Sequence, residues 1–257
     1  MISAMLCGGL GGRMFQIAAA YALALENGDE CAFNLNMGSL AQGVHPSTYR
    51  NNVFNKLKDL PPDWKQEAYY QEKRYNYDPI PYQKNLMIGG YFGSEKYFDK
   101  YRKEIIELFK DPETISDIRL EYYNRFENSV SLHVRRGDYL INASHVCSED
   151  YYKKALSFMD SQTQIDRIYI ISDDIPWCKE TFKDKRITFI EGVPDYIDFY
   201  IQALCTNNII SNSTFSRWGA YLNENENKII CAPAVWFGGA IANEITDVFL
   251  NKWYFIE

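Results

Sequence analysis

Residues 2–7 form a short apolar run that ends in Gly8-Gly9-Leu10-Gly11-Gly12, and behind it Met14, Ile17, Ala18, Tyr21 and Leu25 recur at helical spacing. The run reads as a buried strand, the glycines as a turn, and the periodic stretch as a helix that stops near Asn27-Gly28. Residues 30–35 can supply the next strand, so the chain opens strand, glycine turn, helix, strand, which favours a parallel α/β layer. From 36 to 84 the periodicity fades among Pro46, Pro61, Pro62, Pro79 and Pro81, as expected of loops and short elements. Residues 89–93 read as a turn, 94–109 as helical segments, and 111–126 as a helix and connector.

The second half is more regular. Strands are expected at 129–134, 167–171, 187–190, 208–211 and 228–232. Between them, Ser148 can cap a helix that carries Tyr152, Ala155, Leu156 and Met159 on one face, and Asp174 a helix with Pro176 in its first turn. Ile197, Tyr200, Ile201 and Leu204 stripe a third helix, and 214–222 form a fourth. Strands alternating with helices in this way predict a doubly wound parallel sheet.

Composition narrows the functions. The net charge of −7 argues against general attraction to nucleic acid or anionic membranes, while leaving room for one basic phosphate pocket. The 20 Tyr and 15 Phe could form sugar-stacking surfaces, although tyrosine-rich cores are the commoner use. None of the six cysteines forms a C-x-x-C pair, so reduced buried thiols are expected and no metal site or disulfide framework. No run reaches the length of a membrane span and residues 1–7 lack a signal-peptide pattern, so a cytoplasmic protein is expected.

Ligands of open parallel sheets bind beyond the carboxyl ends of the strands. There the chain places His133-Val134-Arg135-Arg136-Gly137-Asp138-Tyr139, then Ser172-Asp173-Asp174, then Asn212-Ser213-Thr214. Arginine at a strand tip can clamp phosphate oxygens and never loses its charge. Ser213 and Thr214 lie where a strand passes into a helix, which favours an anion. Asp173 or Asp198 can accept hydrogen bonds from a guanine edge or a ribose. Blander readings stand beside these: Arg136 and Asp138 could pair across the turn, His133 could be a satisfied core residue, Asp174 only a helix cap, and Asn212 only a turn former. The loop Gly9, Gly11, Gly12 and Arg13 is no P-loop, for no G-K-S or G-K-T follows, yet it lets a backbone approach a ligand closely.

Several stretches together resemble the α-1,2-fucosyltransferases of glycosyltransferase family 11. They are Gly8-Gly9-Leu10-Gly11-Gly12-Arg13-Met14-Phe15-Gln16, Gly90-Tyr91-Phe92-Gly93-Ser94-Glu95-Lys96-Tyr97-Phe98, the HxRRxDY-type motif from His133 to Tyr139, and Ser211-Asn212-Ser213-Thr214-Phe215-Ser216. The resemblance implies an α/β, GT-B type fold with two Rossmann-like domains facing a cleft. Residues 1–125 would form the acceptor-side domain, 126–240 the GDP-fucose-binding domain, and 241–257 a helix packing back on the first. It also implies an inverting, metal-independent transfer of L-fucose from GDP-fucose to a galactoside-type glycan, in α-1,2 linkage and without a further cofactor. Arg135 would hold the diphosphate with His133 beside it, and Arg136, Asp173, Asp198, Asn212, Ser213 and Thr214 would line the donor. Arg135 and Asp138 are the catalytic candidates; His145 and Glu149 could also reach the acceptor hydroxyl as bases. Gly12, Gly93 and Arg217 depart from the usual Asn, Gln and Trp of the family. The rivals are another GDP-sugar transferase, a different fucosyl linkage, or a non-catalytic sugar- or nucleotide-binding protein.

Overall fold

The computed structural model describes residues 1–37, 44–73, 75–141, 146–236 and 253–257. These divide into two compact units, 1–111 and 112–236 with 253–257. The helix after Asp111 packs on a helix of the second unit and so belongs with it.

The first unit holds a three-stranded parallel sheet in the order β1 (Ile2–Ala4), β3 (Leu86–Gly89), β2 (Ala68–Gln71). The expected strand at 30–35 consists only of isolated bridges, Ile2 to Cys31 and Phe33 to Asp59. Helix α1 (Leu10–Glu26) is buried almost all round: Met14, Ile17 and Ala18 have no exposed surface, whereas Leu25 faces solvent. Its end is set by Asn27, whose Nδ2 donates to the Leu23 carbonyl, and by Gly28 in the left-handed region at φ 61°. The unit closes with α2 (Arg102–Phe109).

The second unit begins with α3 (Pro112–Glu121) and then alternates strictly: β4 (Ser129–Val134), α4 (Glu149–Gln162), β5 (Arg167–Ser172), α5 (Ile175–Thr181), β6 (Ile187–Phe189), α6 (Asp195–Leu204), β7 (Asn207–Ile209), α7 (Thr214–Leu222), β8 (Ile230–Pro233) and β9 (Tyr254–Ile256). The strands run in the order β6-β5-β4-β7-β8-β9, and every neighbouring pair is parallel. All six residues of β4 are buried, as a central parallel strand covered on both faces requires. Tyr152, Ala155 and Met159 of α4 pack with Val130, Leu132, Ile168 and Ile170, each large side chain contributing about 1.5–3 kcal/mol by leaving water. The helix expected over 241–257 lies mostly outside the described residues. Where the chain is described again, Tyr254–Ile256 is a strand, extended because it hydrogen-bonds along the edge of β8. Among the described residues no helix is long and apolar enough to cross a membrane.

Candidate functional site

In the order β6-β5-β4-β7-β8-β9 the chain reverses direction between β4 and β7, and this switch point opens a crevice at their carboxyl ends. His133, next to last in β4, reaches across it, its Nδ1 lying 2.8 Å from the Ser211 Oγ beyond β7. The imidazole is buried, and burial together with the Arg135 charge pulls its pKa down to about 3, so it is neutral at physiological pH. His133 thus braces the floor of the crevice from inside, packed 5.4 Å from the Phe215 ring.

The two arginines leave β4 in different company. Arg135 pairs through Nη1 with Asp173 Oδ2 at 2.8 Å and through Nη2 with Asp138, and lies 5.3 Å from the Tyr139 ring. Arg136 donates from Nε to Asp174 Oδ2 at 2.9 Å and stacks 4.1 Å over the Trp177 ring. The Arg136–Asp138 pair allowed by the sequence is not formed, because each side chain has a better-placed partner. Asp173 joins the two arginines: its Oδ1 accepts the Arg136 backbone N–H at 2.8 Å while its Oδ2 holds Arg135. A side chain at Gly137 would meet that carboxylate, since an added Cβ would lie 2.5 Å from Oδ2. Asp174 does cap α5, accepting from the Trp177 N–H at 3.2 Å, but it also fixes Arg136.

The third strand tip completes the rim. Ser213 caps α7 by accepting from the Phe215 N–H at 3.3 Å, and Thr214, the first helical residue, is exposed. No acidic residue stands in the first turn of α7, so its positive end favours an anion. Asn212 is tied down on three sides, its Oδ1 accepting from the Cys147 thiol, its Nδ2 donating to the Trp236 carbonyl, and its own carbonyl accepting from the Tyr139 hydroxyl. Asp198, in the first turn of α6, connects to this rim through Phe199, whose ring lies 6.0 Å from that of Phe215. Desolvation, reinforced by Asp195, pushes the Asp198 carboxyl up to about 7. Its buried Oδ1 has no hydrogen-bond partner among the described residues.

His133, Arg135, Arg136, Asp173, Asn212, Ser213 and Thr214 are therefore gathered at three adjacent strand tips, with Asp198 one aromatic layer away. The candidate base Glu149 pairs with Lys153 along α4, and His145 lies outside the described residues. Gly9, Gly11, Gly12 and Arg13 belong to the first unit. Gly9 caps α1, Gly11 and Gly12 form its first turn, and Arg13 is wholly buried, donating to the Val44 carbonyl at 2.7 Å. Two residues of this unit escape sequence reasoning. Gln16 accepts from the Cys7 N–H and donates to the Gly90 carbonyl, joining the glycine loop to the 89–93 turn. Glu72 accepts the backbone N–H groups of Tyr91 and Phe92. No sequence pattern points to either, because both serve backbone groups far along the chain.

A six-stranded parallel sheet with paired arginines and a serine-capped helix start at its switch point is built on the α/β plan of the GT-B fold. The chain belongs to glycosyl transferase family 11, whose profile matches residues 6–257, and is thus a glycosyltransferase. It is 30% identical to the O-antigen biosynthesis glycosyltransferase WbnK of Escherichia coli, covering 96% of this chain and 98% of that one. It is 28% identical to an α-1,2-colitosyltransferase of the same organism, over 100% and 99% of the two chains. Galactoside α-(1,2)-fucosyltransferase 2 of Oryctolagus cuniculus is 27% identical, over 84% of this chain and 65% of that one. The fold is also that of the fucosyltransferase NodZ from Bradyrhizobium, with a TM-score of 0.53 at 13% identity over 85% and 91% of the chains. A structure of NodZ α-1,6-fucosyltransferase soaked with GDP-fucose matches with a TM-score of 0.51 at 14% identity, over 86% and 91%.

Proposed function

We propose that the protein transfers L-fucose from GDP-fucose to the 2-hydroxyl of a galactoside-type glycan, in the cytoplasm, by a single inverting displacement that requires no metal. The observation that carries this reading is the arginine pair at the tip of β4, held by Asp173 and Asp174 at the tip of β5, with the amide end of α7 at the neighbouring strand tip. As the bond from the anomeric carbon to the diphosphate breaks, negative charge grows on the leaving group. Arg135 neutralises it, Arg136 and the α7 amides add to the field, and Asp198 accepts from the guanine edge. His133 and Ser211 hold the floor, and Asp138 orients Arg135 on the exposed side. The matched relatives named for α-1,2 linkages and galactosides support the linkage and the acceptor.

The relative that matches over the whole chain as a colitosyltransferase favours one second reading, a colitosyl donor. Incubation with GDP-fucose and a panel of β-galactosides in EDTA tests the proposal by mass spectrometry. A product heavier by one deoxyhexose, 2-linked by NMR, is expected. Product from GDP-colitose alone would move the donor to the second reading, and dependence on added Mg²⁺ or Mn²⁺ would overturn the metal-free mechanism.

A further inference from the structure

The two arginines at the tip of β4 spend their donors differently. Arg135 gives both terminal nitrogens to carboxylates, Nη1 to Asp173 and Nη2 to Asp138. Arg136 gives up only Nε, to Asp174, and among the described residues neither of its terminal nitrogens has a hydrogen-bond or ion-pair partner. Its charge is held instead through the flat face of the guanidinium, whose central carbon lies 4.1 Å over the Trp177 ring. A stacked ring holds a guanidinium by its face and takes none of its N–H groups, whereas a carboxylate can take two. With Nε on Asp174 and the face on Trp177, the edge that carries Nη1 and Nη2 stays available. That edge matches two phosphate oxygens.

Trp177 is itself firmly mounted. Its N–H donates to Asp174 Oδ1 while Oδ2 of the same carboxylate accepts from Arg136, so one side chain sets the helix start, the indole and the arginine together. The indole lies nearly perpendicular to the Phe182 ring, at 5.8 Å and 85°, and Phe182 meets the fully buried Tyr152 at 6.1 Å and 87°. On the backbone side, Asp173 Oδ1 accepts the Arg136 N–H at 2.8 Å. Adjacent carboxylates thus pin the backbone and the side chain of one residue, and an aromatic column running back into the core fixes the plane of its guanidinium. The Arg136 side chain is only 19% exposed, and stacking of a cation counts for more there than in open water.

We infer that Trp177 is a positioning residue of the donor site, holding Arg136 with its open edge already oriented for the diphosphate of the nucleotide. Arg135 must exchange a carboxylate for phosphate, whereas Arg136 can bind without releasing a partner. The role of Trp177, which rests on the proposed GDP-sugar donor, is therefore in capture of the nucleotide more than in bond breaking.

Calorimetry of GDP with the full chain, paired with steady-state kinetics, tests this. Trp177→Leu, which keeps an apolar side chain against Phe182, is expected to weaken GDP binding about tenfold, with the kinetic loss falling on the donor KM more than on kcat. That is the reverse of the pattern expected for Arg135→Ala. Trp177→Phe, which keeps a ring face, is expected to regain most of the affinity. In an Arg136→Ala background Trp177→Leu is expected to cost almost nothing further, since the group it positions is gone. Equal losses in the two backgrounds would overturn the role and leave the indole a packing residue, as would wild-type affinity in Trp177→Leu or a loss confined to kcat. NMR of the wild-type chain gives a readout with the indole intact. The Arg136 Hε resonance, identified by its loss in Arg136→Lys, is expected to be shifted upfield by the indole ring current and to keep that shift when GDP binds. An unshifted Hε, or one whose shift disappears with GDP, would overturn the prepositioning. A wild-type chain that binds no GDP would instead sink the donor reading, and the role of Trp177 with it.

Discussion

The 2.8 Å hydrogen bond between His133 Nδ1 and Ser211 Oγ joins the two strands that flank the switch point, over a separation of 78 residues. Both partners are buried, so removing one leaves the other without water to replace it. Ser211→Ala is expected to lower the unfolding free energy by about 1–3 kcal/mol. Urea denaturation reads this as a lower midpoint at constant slope; an unchanged midpoint would mean that the bond braces nothing.

In the proposed mechanism Arg135 carries the heaviest chemical role. Arg135→Ala is expected to lower kcat by about 10²–10³ while the melting curve stays cooperative. Arg135→Lys, which keeps the charge but not the fork, is expected to recover only part of the loss. Near-normal turnover in the alanine variant would remove Arg135 from the mechanism.

Gly137 makes a subtler test. Its missing Cβ leaves room for the Asp173 carboxylate that spaces the arginines. Gly137→Ala pushes the end of a flexible side chain, not backbone, so stability is expected to change little. The arginine pair proposed to clamp the diphosphate, by contrast, is expected to lose its alignment. GDP affinity measured by calorimetry is expected to fall about tenfold, or roughly 1.4 kcal/mol. Wild-type affinity would show that the position of Asp173 does not matter to the nucleotide.

The pH dependence of stability contains two opposed contributions. His133 is depressed to about 3, so below its unfolded value of about 6.5 the unfolded chain takes up the extra proton and stability falls with falling pH. Asp198 is raised to about 7, so the folded chain keeps a proton that the unfolded chain releases, and stability falls as pH rises from about 4 to 7. Asp198→Asn is therefore expected to raise the melting temperature at pH 8 by roughly a few degrees and to leave it unchanged near pH 4. In the wild type, GDP affinity is expected to increase as the pH rises through 7, where the ionised carboxylate becomes the better acceptor. The asparagine variant is expected to lose that increase, and an identical pH profile in both proteins would detach Asp198 from the guanine.

Much of the second unit was legible because its strands are buried on both faces and its helices carry their own caps. β4 and α7 begin and end where the apolar run and the Ser213-Thr214 boundary place them. β9 was not, since two of its three residues are exposed and its strand character comes from β8. β2 was hidden for the same reason, with Tyr70 its one buried residue. In the site, the strand-tip rule reached His133, Arg135, Arg136 and Asp173, but not who holds whom. Asp174 stands 38 residues from Arg136, and no local pattern encodes that pair. Gln16 and Glu72 were invisible because each serves distant backbone groups, which leave no trace in side-chain periodicity.

The central position of β4 also governs how the protein is made. As the chain leaves the ribosome, β4 can pair at once with β5, but its other edge stays open until β7 and Ser211 emerge. Domains form from the amino terminus during synthesis, and pairings of long sequence separation form slowly. For that interval the nascent second unit presents an apolar, unpaired strand edge, which is the surface that chaperones bind and that seeds aggregation. Codon choice and growth temperature over the stretch between β5 and β7 are therefore expected to set the soluble yield of this enzyme more than those over its first hundred or so residues.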